Sequence, residues 1–164
     1  MLTNINYKGH TKENLDGFSF SIRPCQCVLR YPEYTIILFM NGNCRIMGCK
    51  KPLDTTTLPL NIVVERIQSV SVTIDLKQSI NLYSLSKSVP CTYEPEIFPA
   101  LRLSNFNPLC VNVFHTGKVV ITGLKTLQYD KIVKNVMDNI LLFVYFVLFL
   151  SSIHLFACKN LNYF

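Results

Sequence analysis

The feature that most constrains the fold of this chain is an internal repeat with a period of 75 residues. Four residues of the first half, two of them glycines, are followed at this distance by identical residues in the second half. The pairs are Phe39 and Phe114, Gly42 and Gly117, Gly48 and Gly123, and Lys50 and Lys125. A repeated spacing of this kind indicates that one supersecondary unit occurs twice. The sequence therefore predicts a pseudo-symmetric molecule of two similar halves.

The second copy of the repeat lies in a run of predicted strands and turns over 93–125. An acidic turn that contains proline comes first, and turns at Pro108 and Gly117 separate the strands. These residues favour hairpins, because proline fixes φ and glycine adopts positive φ without strain. The first copy has strands in the same order, predicted over 25–30, 35–40 and 43–47.

Predicted strands and helices alternate in the rest of the chain. Alternating apolar and polar residues indicate strands, whereas apolar residues at intervals of three and four indicate helices. The predicted strands are a short LTNIN strand near the start and strands over 17–23, 68–76 and 80–85. The predicted helices are 60–66, after two prolines, and 127–140, whose apolar side includes Val133, Val136 and Ile140. Two successive groups of strands followed by a helix predict an α+β fold.

The segment over 140–158, ILLFVYFVLFLSSIHLFAC, is interrupted only by two serines and a histidine. About 20 apolar residues are enough to cross the hydrocarbon core of a bilayer. Three interpretations are open: a membrane anchor, an over-long helix buried against a partner, and a degenerate C-terminus.

Charge and cysteine content indicate the kind of partner and the cellular setting. The formal net charge of +6 suits an anionic partner, either nucleic acid or anionic lipid. Seven cysteines, an odd number, favour reduced thiols and an intracellular setting. Cys25, Cys27, Cys44 and Cys49 suggest a zinc site, but their spacing matches no common zinc motif and buried thiols are the better interpretation.

The sequence contains no recognisable catalytic arrangement. His10, His115 and His154 have no carboxylate or cysteine partner at a motif spacing, and no glycine-rich phosphate loop joins a strand to a helix. We therefore do not expect an enzyme, and no cofactor or metal is expected.

Three segments resemble the TATA-box-binding protein family. YEPEIFPAL, FHTGKVVITGLK and the preceding RIQSVSVTIDLK are similar to its second repeat, and the resemblance is strong over 66–140 and weaker over 22–50. The resemblance implies a saddle of two repeats, a curved antiparallel sheet with helices on its convex side. It divides the chain into a degenerate first repeat (1–66), a second repeat (67–140) and a hydrophobic tail (141–164).

In that family, phenylalanines enter base steps from the minor groove and bend the duplex, a behaviour for which the family is itself a standard example. Phe98 and Phe114 match the two wedges of the second repeat, and Phe39 matches one wedge of the first. Ile22 stands where the fourth wedge would be, and Phe20 replaces it only through a shift of register. Ordinary core packing is the alternative role for each phenylalanine.

Between the wedges, the resemblance implies that alternate strand residues face the minor groove, where A·T pairs present acceptors. These residues are Ser69, Ser71, Pro99, Asn112, Val120 and Thr122 in the second half and Ile37, Arg45 and Met47 in the first. Arg45 replaces a valine of the family, Ser69 an asparagine and Asn112 an aliphatic residue. An arginine suits an electronegative minor groove, so Arg45 either strengthens DNA binding or shows that this face no longer packs flat on DNA.

Three lysines match family positions that reach DNA phosphates, namely Lys50, Lys118 and Lys125. Such contacts add affinity that depends on salt and not on sequence, and exposed loop charges are the alternative. Asn43 stands where the first repeat of the family has a further lysine.

The turn that contains Glu94, Glu96 and Ile97 matches the family's docking turn for transcription factor IIB, and its charge suits a basic partner. The resemblance thus implies a transcription initiation factor that binds and bends A·T-rich promoter DNA, in the nucleus or at the site of transcription. Its partners would be a factor-IIB-like protein and RNA polymerase. The alternative is that the saddle serves as a protein-interaction module, with or without a membrane anchor, and has weak or no specific DNA binding.

Overall fold

The computed structural model describes residues 2–21 and 26–142 of the chain. Its strands are β1 (Leu2–His10), β2 (Gln26–Arg30), β3 (Thr35–Phe39), β4 (Asn43–Cys49), β5 (Val63–Asp75), β6 (Cys91–Thr92), β7 (Ala100–Leu103), β8 (Cys110–Phe114) and β9 (Lys118–Leu124). Its helices are α1 (Leu82–Ser86), α2 over 130–142, and two short 3-10 helices at Thr55–Thr57 and Pro59–Asn61.

The strands form a nine-stranded sheet in the order β2-β3-β4-β1-β5-β9-β8-β7-β6. The pairs β1–β4, β1–β5, β2–β3, β3–β4, β6–β7 and β7–β8 are antiparallel. The chain divides into two compact units. The first unit consists of Met1–Thr73 and Thr122–Leu127, and the second unit consists of Ile74–Ile121 and Gln128–Phe164. The predicted α+β class with an antiparallel sheet is confirmed, whereas the repeat limits 1–66 and 67–140 stay a prediction.

The 75-residue period is present in the strands themselves. Both limits of β8 lie 75 residues after those of β3, and both limits of β9 lie 75 residues after those of β4. The hairpin glycines match as well, with φ of 78° at Gly42 and 82° at Gly117. In each hairpin the glycine N–H donates to a phenylalanine carbonyl at 2.9 Å, that of Phe39 or of Phe114. The same turn is therefore built twice.

In each unit the sheet has one buried face and one open face. The alternate residues Ile36, Leu38, Cys44 and Ile46 are buried in the first unit, and Val111, Val113, Val119 and Ile121 are buried in the second. Burial of one such aliphatic side chain contributes about 1.5–3 kcal/mol. In the second unit both helices lie on the buried side, since Leu85 of α1 and Ile140 of α2 line a cavity with Leu103 of β7.

The predicted helix over 60–66 is wrong, because β5 already begins at Val63. Leu60 and Asn61 have positive φ of 57° and 43°, which no regular helix accommodates. Val63 then pairs with His10 of β1. The β-branched side chains and a partner strand 53 residues away override the weak local helical pattern.

The predicted strand over 80–85 is also wrong, because α1 occupies most of it. The side chain of Asn81 accepts a hydrogen bond from the N–H of Ser84 at 3.0 Å and caps this helix. Leu82 and Leu85, three residues apart, are its buried residues. Residues 17–21 form turns and coil and not the predicted strand, and Ile22 lies outside the described residues.

Strand β1 is longer than the predicted LTNIN segment and extends over nine residues. It lies between β4 and β5 in the sheet. In the described part of the chain, no helix is both long enough and apolar enough to span a membrane. The hydrophobic tail beyond residue 142 lies outside that part.

Replacement of Gly117 by alanine should destabilise the fold. The added Cβ would clash with the carbonyl oxygen of Gln78, and the positive φ is unfavourable for an L residue. We expect the free energy of unfolding in urea to fall by more than about 2 kcal/mol. Gly17→Ala is the matched control, since its Cβ meets nothing within 4 Å. Equal losses in the two variants would contradict the assignment.

Candidate nucleic-acid interface

The open face of the second unit has an aromatic pair. The rings of Phe98 and Phe114 lie 6.1 Å apart between centroids, with 69° between their planes, in an edge-to-face arrangement. Phe98 is 46% exposed, although burial of a large apolar side chain would stabilise the fold. Phe114 is half-buried. A pair of one exposed and one half-buried ring that support each other is suited to contact with a partner.

The hairpin geometry brings these two phenylalanines together. Ala100 pairs with Phe114 across β7 and β8, and Phe98 precedes Ala100 by two residues. The N–H groups of Ile97 and Phe98 both donate to the carbonyl oxygen of Glu94, at 3.0 and 2.9 Å. This turn directs the chain so that Phe98 reaches Phe114. Pro99 beside it is exposed.

On the same face of the second unit, Asn112 and Val120 are half-buried and alternate with buried core residues. The Cys110 thiol donates to Asn112 Oδ1 at 3.6 Å. The amide oxygen of Asn112 is thus satisfied by the protein, which leaves its NH₂ group to donate elsewhere. Thr122, also half-buried, belongs to the first unit.

The open face of the first unit contains more polar and more exposed residues. Ile37 and Phe39 of β3 are half-buried, whereas Arg45 and Met47 of β4 are exposed, Met47 by 38%. Ile37 pairs with Arg45 and Thr35 with Met47. All the predicted groove residues of this half therefore lie on one face, but its chemistry differs from that of the second unit.

Two asparagines of β1 were not predicted as site residues. Asn4 and Asn6 alternate with the buried Ile5 and Tyr7 and lie opposite Ser71 and Ser69 of β5. Asn6 Nδ2 donates to Ser69 Oγ at 3.1 Å. The period-two pattern of β1 was the signal that could have identified them, but the segment has few aliphatic residues.

A backbone donor orients the amides of these asparagines. The N–H of Gly48 lies 3.1 Å from Asn4 Oδ1 and 3.3 Å from Asn6 Oδ1, at an irregularity in the β1–β4 pairing. A backbone N–H bonds to the oxygen of an amide and not to its nitrogen. The NH₂ group of Asn4 is therefore left as a donor, the kind of group that the acceptors of A·T pairs require.

The predicted phosphate-binding lysines are all exposed but not all free. Lys125 Nζ donates to the carbonyl oxygen of Gln68 at 2.7 Å, whereas Lys50 and Lys118 form no hydrogen bond or ion pair within the described residues. The Lys125 contact is exposed, so a phosphate can replace it at little cost.

The turn with the predicted partner-binding residues projects from the second unit. Ile97 is 80% exposed, and the Glu94 and Glu96 carboxylates are exposed as well. Glu94, Ile97 and Phe98 line a cavity of about 540 Å³ together with Arg102. The predicted docking turn and a predicted DNA wedge thus share one cavity.

The described residues contain no group of three or more His, Cys, Asp or Glu side chains that could hold a metal ion. Cys44 and Cys49 are buried, and their burial raises the pKa of both thiols. A raised thiol pKa opposes the thiolate that zinc binding requires. Cys25 lies outside the described residues.

The paired hairpins and the open sheet face define a class of pseudo-symmetric α+β proteins. Residues 65–142 match the family described as transcription factor TFIID, or TATA-binding protein. A TATA-box-binding protein of Methanococcus maripaludis strain C6 is 32% identical over 133 residues, which cover 68% of this chain and 73% of that protein. One from Acetabularia peniculus is 29% identical over 113 residues and 59% of each chain.

The solved structure of Methanococcus jannaschii TBP has the same fold. It matches with a TM-score of 0.66 and 23% identity, over 88% of this chain and 96% of that one. The chain belongs to the TATA-box-binding protein family.

The Glu65 carboxylate provides a test of the electrostatics on the first unit. Lys8 Nζ and His10 Nδ1 lie 2.9 and 3.0 Å from its oxygens. These two bonds hold the pKa of Glu65 below its ordinary value of 4.5, and the bond to Lys8 has the larger effect. Since the folded pKa is the lower one, these bonds stabilise the fold above the unfolded pKa, and this contribution is lost as pH falls through the folded pKa. An NMR titration of Glu65 should have its midpoint below 4.5, and Lys8→Gln should raise it. A midpoint at or above 4.5 in the wild type would contradict the pairing.

Proposed function

We propose that this protein is a transcription initiation factor that binds A·T-rich promoter DNA in the minor groove and bends it. The observation that carries the proposal is the edge-to-face pair of the exposed Phe98 and the half-buried Phe114 on the open sheet face. Proteins that bend DNA from the minor groove insert apolar wedges between base steps. Two wedges that support each other in one unit resist displacement when the bases close on them.

The polar groups of the open faces support preference for A·T pairs. The minor groove of an A·T pair presents only acceptors, whereas a G·C pair adds the donor amino group of guanine. The amide of Asn4, oriented by Gly48, and the amide of Asn112, bonded through its oxygen to Cys110, both retain donors. Val120 of the second unit is half-buried and offers an apolar contact. Donors that meet the acceptors of the minor groove favour A·T over G·C, because the guanine amino group opposes a second donor.

The exposed lysines supply affinity that is independent of sequence. Lys50 and Lys118 are exposed and form no hydrogen bond or ion pair within the described residues, so both can reach phosphates. Lys125 can exchange its exposed bond to Gln68 for a phosphate contact. Each phosphate contact makes binding weaker as salt rises. The net charge of +6 adds long-range attraction to DNA.

The proposed partner of the protruding turn is a factor-IIB-like protein, which would bring RNA polymerase to the promoter in the nucleus or at the site of transcription. The turn offers two exposed carboxylates, Glu94 and Glu96, and the apolar contact of Ile97. Because the turn and Phe98 line one cavity, a partner docked there would lie beside the inserted wedge.

The wedge proposal is tested by DNA bending in the variant Phe98→Ala with Phe114→Ala. Fluorescence transfer between dyes on the ends of a TATA-containing duplex should report a bend with the wild-type chain and none with the variant. Affinity should fall by at least about tenfold, or about 1.4 kcal/mol, since both wedge contacts are lost. A variant that bends the duplex normally would refute the proposal.

Tyr83→Ala is the control for the loss of an exposed aromatic residue, since Tyr83 lies on α1 and is 64% exposed. It should bend the duplex as the wild type does. A G·C-rich duplex tests the preference, and equal affinity for both duplexes would contradict recognition of A·T pairs.

The docking turn is tested by charge reversal, Glu94→Lys with Glu96→Lys. Recruitment of transcription factor IIB to the preformed complex with DNA should fall at least about tenfold in a mobility-shift assay, since two attractive contacts become repulsive. Glu33→Lys reverses an exposed carboxylate in the first unit, which pairs with Lys51, and should not affect recruitment. Equal effects of the two variants would rule out a specific role of the turn.

A further inference from the structure

Three cationic residues lie side by side across three neighbouring strands of the first unit. Lys8 of β1 pairs in register with Arg45 of β4 on one side and with Arg66 of β5 on the other. Residues paired in this way have Cβ atoms about 4.5–5.5 Å apart. We call Arg45, Lys8 and Arg66 the cationic row. Its side chains line a cavity of about 290 Å³ together with Phe39, Asn41, Asn43, Cys44 and Gln68.

The charge of this row is only partly balanced. Glu65 bonds to Lys8, at 2.9 Å, and to His10, at 3.0 Å. Within the described residues, Arg45 and Arg66 form no ion pair or side-chain hydrogen bond, and both are exposed. Like charges directly opposite each other across a sheet are destabilising. An anion bound between them would relieve this repulsion.

Arg45 lies close to a position, residue 43, where the first unit lacks the lysine that the second unit has. The second unit has Lys118 and Val120, and 75 residues earlier the first unit has Asn43 and Arg45. Residues 43 and 45 lie on the same side of β4, about 7 Å apart. The long arginine side chain spans that distance, and Asn43 lines the same cavity. The positive charge has in effect moved two residues along the strand.

We propose that the cationic row is a binding site for backbone phosphates of duplex DNA, next to the step that Phe39 contacts. The inference rests on the proposed DNA binding and assigns new residues to it. Arginine forms bidentate hydrogen bonds with phosphate oxygens. Arg45 therefore contributes charge in place of the lysine absent at residue 43, and does not distinguish one base pair from another.

The test is the salt dependence of binding to two duplexes, one with TATA and one rich in G·C. Each phosphate contact contributes about 0.9 to the slope of log affinity against log salt. Arg45→Gln and Arg66→Gln should each lower that slope by about 0.9, equally on both duplexes, and the double variant by about 1.8. Lys77→Gln removes a cation that pairs with Asp75 in the second unit and should leave the slope unchanged.

A charge relocation separates the phosphate role from base recognition. Arg45→Val alone, which copies Val120, should lower the slope, and the addition of Asn43→Lys should restore it together with the affinity. An unchanged slope in Arg45→Val would overturn the proposal. So would a loss confined to the TATA duplex that Asn43→Lys fails to restore, since this is the signature of a contact to base edges.

Failure of the proposed function and failure of this inference give different results. If the wild-type chain neither bends DNA nor prefers TATA, the proposed function fails, yet the slope on the G·C-rich duplex still reports phosphate contacts of the row. Urea unfolding of each variant verifies that it is folded, which the exposure of Arg45 and Arg66 leads us to expect.

Discussion

The structure depends on one tight hairpin turn, which ends at Gly42 in the first unit and at Gly117 in the second. In both turns the glycine N–H closes on a phenylalanine carbonyl at 2.9 Å, and positive φ allows the chain to reverse without strain. The turn sets the register of the paired strands, and register decides which side chains are buried. Phe39 and Phe114 consequently reach the open face of their units.

The two units have the same buried face and different open faces. Aliphatic residues and cysteines fill the buried positions of the hairpins, because a more polar group there would lose its hydration without compensation. The open positions are free of this constraint. The second unit has Asn112 and Val120 there, whereas the first has Ile37 and Arg45. The first unit thus has the cationic row on its open face, and the second has the aromatic pair of Phe98 and Phe114.

The hairpin strands of both units could be predicted from sequence, together with Phe98, Phe114 and Arg45 as exposed or partly exposed residues. Their patterns are local: alternating burial, Asn-Gly or Thr-Gly turns, and a fixed period of 75 residues. The orientation of the Asn4 and Asn6 amides could not be predicted. Their orientation comes from a backbone N–H more than 40 residues away, at Gly48. The cationic row could not be predicted from the sequence either, because its three residues become neighbours only when their strands pair.

The sequence by itself determined the α+β class, the doubled hairpin and the family resemblance, because these depend on short-range patterning and on residue identity. Tertiary structure determined the secondary structure of residues 60–66 and 80–85. The former begin a long strand because β1 offers hydrogen-bond partners, and the latter form a short helix because Leu82 and Leu85 find a core to enter. In these segments the local preference for helix over strand, or the reverse, is smaller than the free energy of such non-local contacts. Non-local contacts, with β1 in one segment and with the core in the other, therefore determined the structure of both.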